Sequence, residues 1–472
     1  MKKITSVILI IAMVLSTLLL SSCGGNKEES LDERIERKTI AYRTDILDSA
    51  ETLTSNEKVQ DYLENWAASK NIEYTSDAKG NIIMHVDTTE MYREAQPTVV
   101  VCAYDYANIT NCADPMSTAL YLIKNNEETG DLTVIFTPTT GSDFTAFETV
   151  STNYFPKGAN VFNLSSGRKK LWSANSGAVS TYKFTGAVSY NAPEGNTAYK
   201  ITISGLPGGT PDSKINSYPN PIKELSDFIA KCKTNALIFE ITGIEGGISS
   251  TTLPTSATMT MVIDENSVEK FQTRIDKAIE KFNKKYNEDF PDVTFTYEQT
   301  ELPQRVMSKD SLNSFISTTY ALVDGVYYRD ESNDDVIVSI SSLGSIAFTD
   351  SSYVIQACGN SLNNSKLTEI DQDYETICGL SNVTFERVYN HKGWQSDPES
   401  DFANEVMTSF KQYSGKKMEY KDCVQSTTAA CVFDKNPECN IMNVVMDDEK
   451  IERYTGTIVQ FLMNQPHSKP AE

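Results

Sequence analysis

One stretch does most to constrain the fold of this chain: PTVVVCAYDYANITNCADPMSTALYL at 97–122. Three β-branched residues in a row, Val99 to Val101, follow Pro97 and predict a strand that is buried on both faces. A short polar loop comes next, and Asp114-Pro115 then opens an apolar pattern of helical period. A buried strand joined by a short loop to a helix is typical of an α/β sheet.

Two carboxylates flank that loop. Asp105 directly follows the strand, and Asp114 stands where it can cap the helix, with Pro115 in the first turn. Ligands of open α/β sheets bind at the carboxyl ends of the strands, so both residues are candidates for a site. A helix cap and a loop aspartate explain the same spacing without any site.

Alternating helix and strand patterns surround this stretch. The sequence predicts a helix over 45–70, a hairpin over 71–86 and further core strands at 132–137 and 159–162. We therefore expect an α/β domain, formed by 41–182 together with 386–466, in which helices flank a mixed sheet. A β-rich α+β insert with two clear helices, over 183–385, is expected to form a separate lid domain.

The amino terminus has the features of a targeting segment. Residues 1–22 combine Lys2 and Lys3 with a long apolar run, which is typical of a signal peptide. Leu-Ser-Ser-Cys follows and resembles a bacterial lipobox, so we expect lipid attachment at Cys23 and a polar tether over 23–40. This predicts a lipid-anchored protein of the bacterial cell envelope, attached to the outer membrane. The anchor fits a protein that faces the periplasm and one that faces the cell surface. Lys27-Glu28-Glu29 resembles a short surface-export signal.

Charge and cysteine content exclude several function classes. The formal net charge is -22, which argues against nucleic acid or an anionic membrane surface as the main partner. The eight cysteines beyond Cys23 are scattered and contain no C-x-x-C pair, so neither a zinc ribbon nor a thioredoxin-type site is indicated.

The strand–loop–helix stretch also resembles the aminoacyl-histidine dipeptidases, which are co-catalytic zinc peptidases. That family has His-Leu-Asp at the strand end and Gly-Ala-Asp-Asn-Gly at the helix start. The resemblance matches Asp105 to the aspartate that supports a zinc-binding histidine, and Asp114 to the aspartate that bridges both metals. The histidine position is Ala103. Further segments resemble the family in order along 45–465: SGLPGGTPDSKI, GGISSTTLP and KGWQSDP.

The family's other functional positions are replaced here. The resemblance places Thr140 and Gly141 at the two adjacent glutamates, and residues of other types at further metal and substrate positions: Thr210, Thr251, Asn360 and Ala429. The family's next metal aspartate follows an Asn-Thr pair; here Asn163 is followed by Leu164, and no carboxylate occurs before Arg168. The family's Gly-Pro-His loop is missing between Val445 and Asp447.

The histidine count does not depend on any alignment. A co-catalytic zinc pair needs about five protein ligands, two of them imidazoles, and a carboxylate base. The chain has three histidines, His85, His391 and His467, and they form no spaced cluster. No G-x-S-x-G, P-loop or H-E-x-x-H motif is present either. We therefore predict no catalytic, cofactor-binding or metal-binding residues, and a vestigial pocket at Asp105 and Asp114.

These observations predict a catalytically inactive, zinc-dipeptidase-like lipoprotein that acts as a binding or scaffold protein. A peptide or protein is the expected ligand, and the lipid anchor supplies the contact with the membrane. The alternative is a weakly active or altered dipeptidase, which would require zinc.

Overall fold

A computed structural model describes residues 29–125, 129–168, 170–446 and 450–467. The predicted signal peptide and Cys23 lie outside the described residues. Within them, no helix combines the length and the apolar character needed to cross a bilayer.

The first domain is built on a seven-stranded mixed sheet, with strands and helices numbered along the whole chain. The sheet order is β1-β2-β4-β3-β5-β20-β6, and β3, β4, β5 and β20 run parallel. The strands are β1 Tyr74–Ser76, β2 Ile82–Val86, β3 Thr98–Tyr104, β4 Leu132–Pro138, β5 Asn160–Ser166, β6 Leu171–Ser173 and β20 Asn440–Met446.

Helices cover both faces of this sheet. Apolar side chains of five helices pack on one face, and those of α9 and the turn at Thr145–Thr149 pack on the other. The helices of this domain are α1 Leu31–Ser49, α2 Asn56–Ser69, α3 Ile109–Asn125, α8 Asp401–Ser414, α9 Thr428–Lys435 and α10 Ile451–Asn464. The expected α/β domain is therefore confirmed.

The lid domain contains a nine-stranded antiparallel sheet. Its order is β13-β10-β12-β11-β16-β17-β8-β18, with β15 attached to β16. The strands are β8 Ala178–Ala187, β10 Thr197–Ser204, β11 Phe239–Gly247, β12 Ala257–Ile263, β13 Thr294–Thr300, β15 Gly325–Arg329, β16 Ile337–Phe348, β17 Ser352–Ser361 and β18 Val383–His391. Its helices are α4 Pro221–Thr234, α5 Val268–Tyr286, α6 Lys309–Ala321 and α7 Asn364–Ser381.

Shorter elements complete the described chain. Two small sheets pair β7 Asn175–Ser176 with β19 Trp394–Gln395, and β9 Tyr190–Asn191 with β14 Val306–Met307. Single 3-10 turns lie at Ala50–Thr52, Glu90–Tyr92, Tyr106–Asn108, Thr145–Thr149, Thr152–Tyr154, Ile215–Ser217 and Glu265–Ser267.

The lid consists of two halves with the same topology. The first half runs β10-α4-β11-β12-α5-β13, and the second runs β8-α6-β16-β17-α7-β18, with the first half inserted after β8. Each half places its strands in the same spatial order, and the second strands, β11 and β16, join the halves edge to edge. The lid is thus an internal pair of βαββαβ units.

Four sequence expectations need correction. The helix over 45–70 is two helices, separated by a turn and by Ser55, whose side chain caps α2. Helix α1 begins inside the predicted tether, because Ser30 and Glu33 form a reciprocal capping box. The lid has four helices rather than two. Its boundaries at 183 and 385 fall within β8 and β18, which both belong to the lid sheet.

Candidate functional site

The carboxyl ends of β3, β4 and β5 meet at one edge of the first sheet, under the lid. They line a partly open cavity of about 30 Å³, which has room for only one or two water molecules. Most of its lining is small or polar: Ala103, Asp105, Asn108, Cys112, Thr139, Gly141, Phe144, Ser165, Ser166, Thr210, Gln425, Ser426, Thr427 and Thr428.

Asp105 lies at this cavity with both carboxylate oxygens bonded. Its side chain is buried; Oδ1 accepts a hydrogen bond from Ala107 N at 3.0 Å, and Oδ2 accepts one from Gly141 N at 3.0 Å. Burial raises the pKa of Asp105, and the two backbone hydrogen bonds oppose that shift. The carboxylate therefore ties the end of β3 to the loop after β4.

Asp114 does not cap a helix, which corrects the expectation from the sequence. Helix α3 begins at Ile109, so Asp114 and Pro115 both lie inside it. The turn Tyr106–Asn108 leads directly into α3, and Asp105 caps that turn. The helix entry is thus one turn earlier than the Asp-Pro pair indicated.

The side chain of Asp114 is buried against α1 and is not part of the cavity lining. Its Oδ1 accepts a hydrogen bond from Arg43 Nε at 2.6 Å. The two aspartates expected to share a vestigial pocket therefore take separate structural roles.

The strand ends do not supply ligands for a pair of zinc ions. Ala103 ends its side chain at Cβ, Gly141 has none, and Ser165, which follows the Asn163-Leu164 pair, lines the cavity without a carboxylate. Asn163 lies deeper in β5, where its Nδ2 donates to Asn443 Oδ1 at 3.0 Å. Burial raises the pKa of the Cys112 thiol to about 12.

No histidine lines this cavity among the described residues. With one carboxylate already bonded twice and no imidazole in the lining, the residues present do not fit a co-catalytic zinc pair. The geometry therefore supports no hydrolytic step through such a pair.

The lid closes directly on the place where the family has its general base. Thr251 Oγ1 donates to Thr140 O at 2.6 Å. A Cβ on Gly141 would lie 2.2 Å from Thr251 O. The φ angle of Gly141 is +59°, a backbone conformation that residues other than glycine rarely adopt. A glutamate at Gly141 is therefore incompatible with this closed arrangement.

A largely buried ion pair also joins the lid to the first domain. Arg168 Nη2 lies 2.7 Å from Asp212 Oδ1, and Arg168 N donates to Asp212 Oδ2 at 3.1 Å. The Arg168 guanidinium stacks over the Tyr218 ring at 5.1 Å from its centre. No sequence pattern signals this pair, because its partners are 44 residues apart.

The other predicted positions separate in the fold. Thr210 lines the cavity, whereas Asn360 is buried within β17 and Ala429 within α9. Val445 is buried in β20, and the loop position at Asp447 lies outside the described residues.

The three histidines lie at separate places in the structure. His85, Asp87 and Asp131 can bring three ligand atoms within 4.8 Å of one another, at the end of β2 and the start of β4, opposite the cavity. His391 connects β18 to α9, with Nε2 at 3.4 Å from Cys431 Sγ. His467 packs against Tyr92. The cysteines of the described segments are all free thiols.

Known proteins share parts of this sequence and this architecture. The profile of the peptidase dimerisation domain, M20_dimer, matches residues 198–289, which form most of the first lid half. Aminoacylhistidine dipeptidase from Vibrio alginolyticus superposes with a TM-score of 0.57 over 90% of this chain and 97% of its own, at 15% identity. The chain has the M20 peptidase fold.

Two further solved structures match over similar lengths of the chain. The dipeptidase Dug1p from Saccharomyces cerevisiae has a TM-score of 0.48 and 12% identity, covering 92% of this chain and 98% of its own. Human carnosine dipeptidase 1 has a TM-score of 0.47 and 8% identity, with the same coverage. No curated protein sequence matches the chain. The family resemblance expected from the sequence is confirmed at the level of the fold.

Proposed function

We propose that this M20-fold chain is a catalytically inactive protein that acts as a binding or scaffold protein of the bacterial envelope. The observation that carries the proposal is the small cavity of about 30 Å³, whose lining has no donor set for zinc. A dipeptide needs far more room, since ligand pockets enclose hundreds of cubic ångströms.

One observation favours the alternative of a weakly active hydrolase. Asp105 is a buried carboxyl with a raised pKa at the strand ends, a combination common among catalytic acids and bases. Against this, both of its oxygens accept backbone hydrogen bonds, and the lid hydrogen bond from Thr251 covers the neighbouring loop. A general base must reach the proton that it removes, and Asp105 lacks that access.

A ligand-sized cleft lies beside this small cavity. It encloses about 280 Å³ between the loop at Ala107 and Asn108 and the lid segment that ends in Gly246-Gly247. The exposed side chain of Ile248 offers an apolar contact at this cleft, and Gly208, Gly209, Gly246 and Gly247 leave room along its lining for an extended peptide. This cleft supports a peptide or protein as the ligand.

The anchor completes the proposal. Lipid attachment at Cys23 would leave seven residues before α1 begins at Leu31. Seven extended residues span about 25 Å, so the folded body would stay close to the membrane surface. We place it on the outer membrane, facing either side.

A hydrolysis assay tests the inactive assignment. Purified protein is incubated with aminoacyl-histidine dipeptides and Zn²⁺ or Mn²⁺, beside the Asp105→Asn variant and a metal-only blank. We expect equal release of histidine in all three. Release above the blank that Asp105→Asn abolishes would establish residual activity and overturn the proposal.

A further inference from the structure

The first lid half carries a groove that lies apart from the strand-end cavity. It lies between α4 and α5 and has a volume of about 900 Å³, which is much larger than the volume of the cavity under the lid. Its floor is apolar and is formed by buried and half-buried side chains of both helices and of β13: Phe228, Cys232, Ala278, Phe282 and Phe295.

The rim of this groove is basic. Six cationic side chains line it, five of them from α5 at roughly helical spacing: Lys231, Lys270, Arg274, Lys277, Lys281 and Lys285. Three acidic side chains also line it, so positive charge predominates: Glu224, Asp227 and Glu269. The rest of the molecule has the opposite balance, since the whole chain carries a formal charge of -22.

The second lid half provides an internal comparison. Helix α7 occupies the place in its half that α5 occupies in the first. It carries one cationic residue, Lys366, and four acidic ones: Glu369, Asp371, Asp373 and Glu375. The fold therefore does not require a basic helix at this place, and the positive charge is particular to the first half.

The cations divide into two groups by their contacts. Lys270 Nζ donates to Ala236 O at 2.9 Å, and Arg274 Nη2 donates to Asn235 O at 2.8 Å, so these two tie α5 to the end of α4. Lys277 and Lys281 are exposed and make no ion pair with the described residues. These two lysines can therefore turn toward a ligand in the groove.

We propose that this groove binds an acidic peptide segment of a partner protein, with carboxylates on the lysine rim and apolar side chains above the Phe228 and Phe282 floor. Helix α4 has 14 residues and is about 21 Å long, which suits an elongated ligand. An isolated phosphate would use only part of the groove and none of its apolar floor. This proposal rests on the proposed binding role and names the chemistry of the partner.

A labelled peptide provides the direct test. The probe is a fluorescein-labelled peptide of glutamates around a central pair of leucines, titrated with the full chain in a fluorescence anisotropy assay. The Lys277→Glu/Lys281→Glu variant should bind roughly tenfold more weakly, because both rim charges are reversed. The matched control is Lys284→Glu on the same helix, which is exposed but does not line the groove and should change affinity less than twofold. Replacing the leucines by alanines should also weaken binding.

Several results would overturn the groove proposal. These are no binding of the peptide to the unmodified chain, equal loss in Lys284→Glu, or tighter binding of polyphosphate or of phosphatidylglycerol vesicles with the same dependence on Lys277 and Lys281. Matching thermal melts exclude misfolding of the variants. A positive dipeptide hydrolysis assay would overturn the inactive assignment and leave the peptide result standing, so the two failures are distinguishable.

Discussion

Arg43 donates from Nε to Oδ1 of Asp114 at 2.6 Å and so joins α1 to the middle of α3. The Asp114 side chain is 4% exposed and that of Arg43 is 29% exposed, so the pair is partly shielded from water. An aspartate that the family resemblance assigns to bridging two metals is thus balanced here by a cation of the protein itself.

This pair gives a stability prediction. Asp114→Ala should lower the free energy of unfolding by about 2 kcal/mol, since it leaves a half-buried guanidinium without this partner. Asp114→Asn should cost less, because the amide oxygen can still accept the hydrogen bond. A double-mutant cycle with Arg43→Met, followed by urea unfolding, measures the coupling. Additive effects of the two substitutions would contradict the role assigned to the pair.

The Arg168–Asp212 pair gives a prediction about lid closure. Asp212→Asn should lower the melting temperature and speed hydrogen exchange at Gly141 and Thr251, because the buried guanidinium loses its counter-charge. Hydrogen exchange followed by mass spectrometry reads both segments. Lys157→Gln, which breaks an exposed pair with Glu438, is the control and should change neither. Unchanged exchange in Asp212→Asn would show that other contacts hold the lid.

Asp324 makes the stability of the lid depend on pH. Burial raises the pKa of Asp324 to about 6, against about 3.9 in an unfolded chain. Between these values the folded chain binds a proton that the unfolded chain releases, so stability increases as pH falls from about 6 to about 4. Above about pH 6 that gain is absent. The whole change amounts to roughly 3 kcal/mol.

The Asp324→Asn variant isolates this effect. Asp324 Oδ1 accepts hydrogen bonds from Leu343 N and Asn220 Nδ2, and an asparagine oxygen can accept both. The difference between the wild-type and variant unfolding free energies should change over about pH 4 to 6 and be flat above about pH 7. A constant difference across the range would mean that Asp324 titrates normally.

Cys23 carries the prediction on anchoring. Cys23→Ala should move the protein from the membrane fraction to the soluble fraction, because lipid chains on that cysteine are the expected anchor. Fractionation and immunoblotting of cells that produce each form measure this. Cys439→Ala, which removes a cysteine of the folded body, should remain in the membrane fraction. Membrane retention of Cys23→Ala would indicate a different anchor.

The sheet of the first domain can be predicted from the sequence because β3 and β4 consist mainly of apolar and β-branched residues. Such strands are buried on both faces of a sheet. The sequence does not predict the lid helices α6 and α7, because serine, threonine, asparagine and aspartate interrupt their apolar pattern. The twofold repeat of the lid is invisible in the sequence, since only the order of the strands in space reveals it.

The candidate site was predictable in composition and not in geometry. Three histidines already argue against a zinc pair, and the loss of a base at Thr140 and Gly141 follows from the resemblance. The sequence predicts that β5 ends at Phe162, whereas the strand continues to Ser166, because strand length cannot be read from one sequence. The contact between Asp114 and Arg43 does not follow from the sequence, because α3 begins at Ile109 and not at the Asp-Pro pair.

The central claim is that the strand ends hold no zinc pair, and the zinc content of the purified chain tests it most directly. The protein is dialysed against a trace of zinc and analysed by inductively coupled plasma mass spectrometry, together with Asp105→Asn and with His85→Ala, which removes the surface group formed with Asp87 and Asp131. We predict well below one zinc per chain, with no decrease in Asp105→Asn. About two zinc ions per chain that persist in His85→Ala and fall in Asp105→Asn would contradict the account.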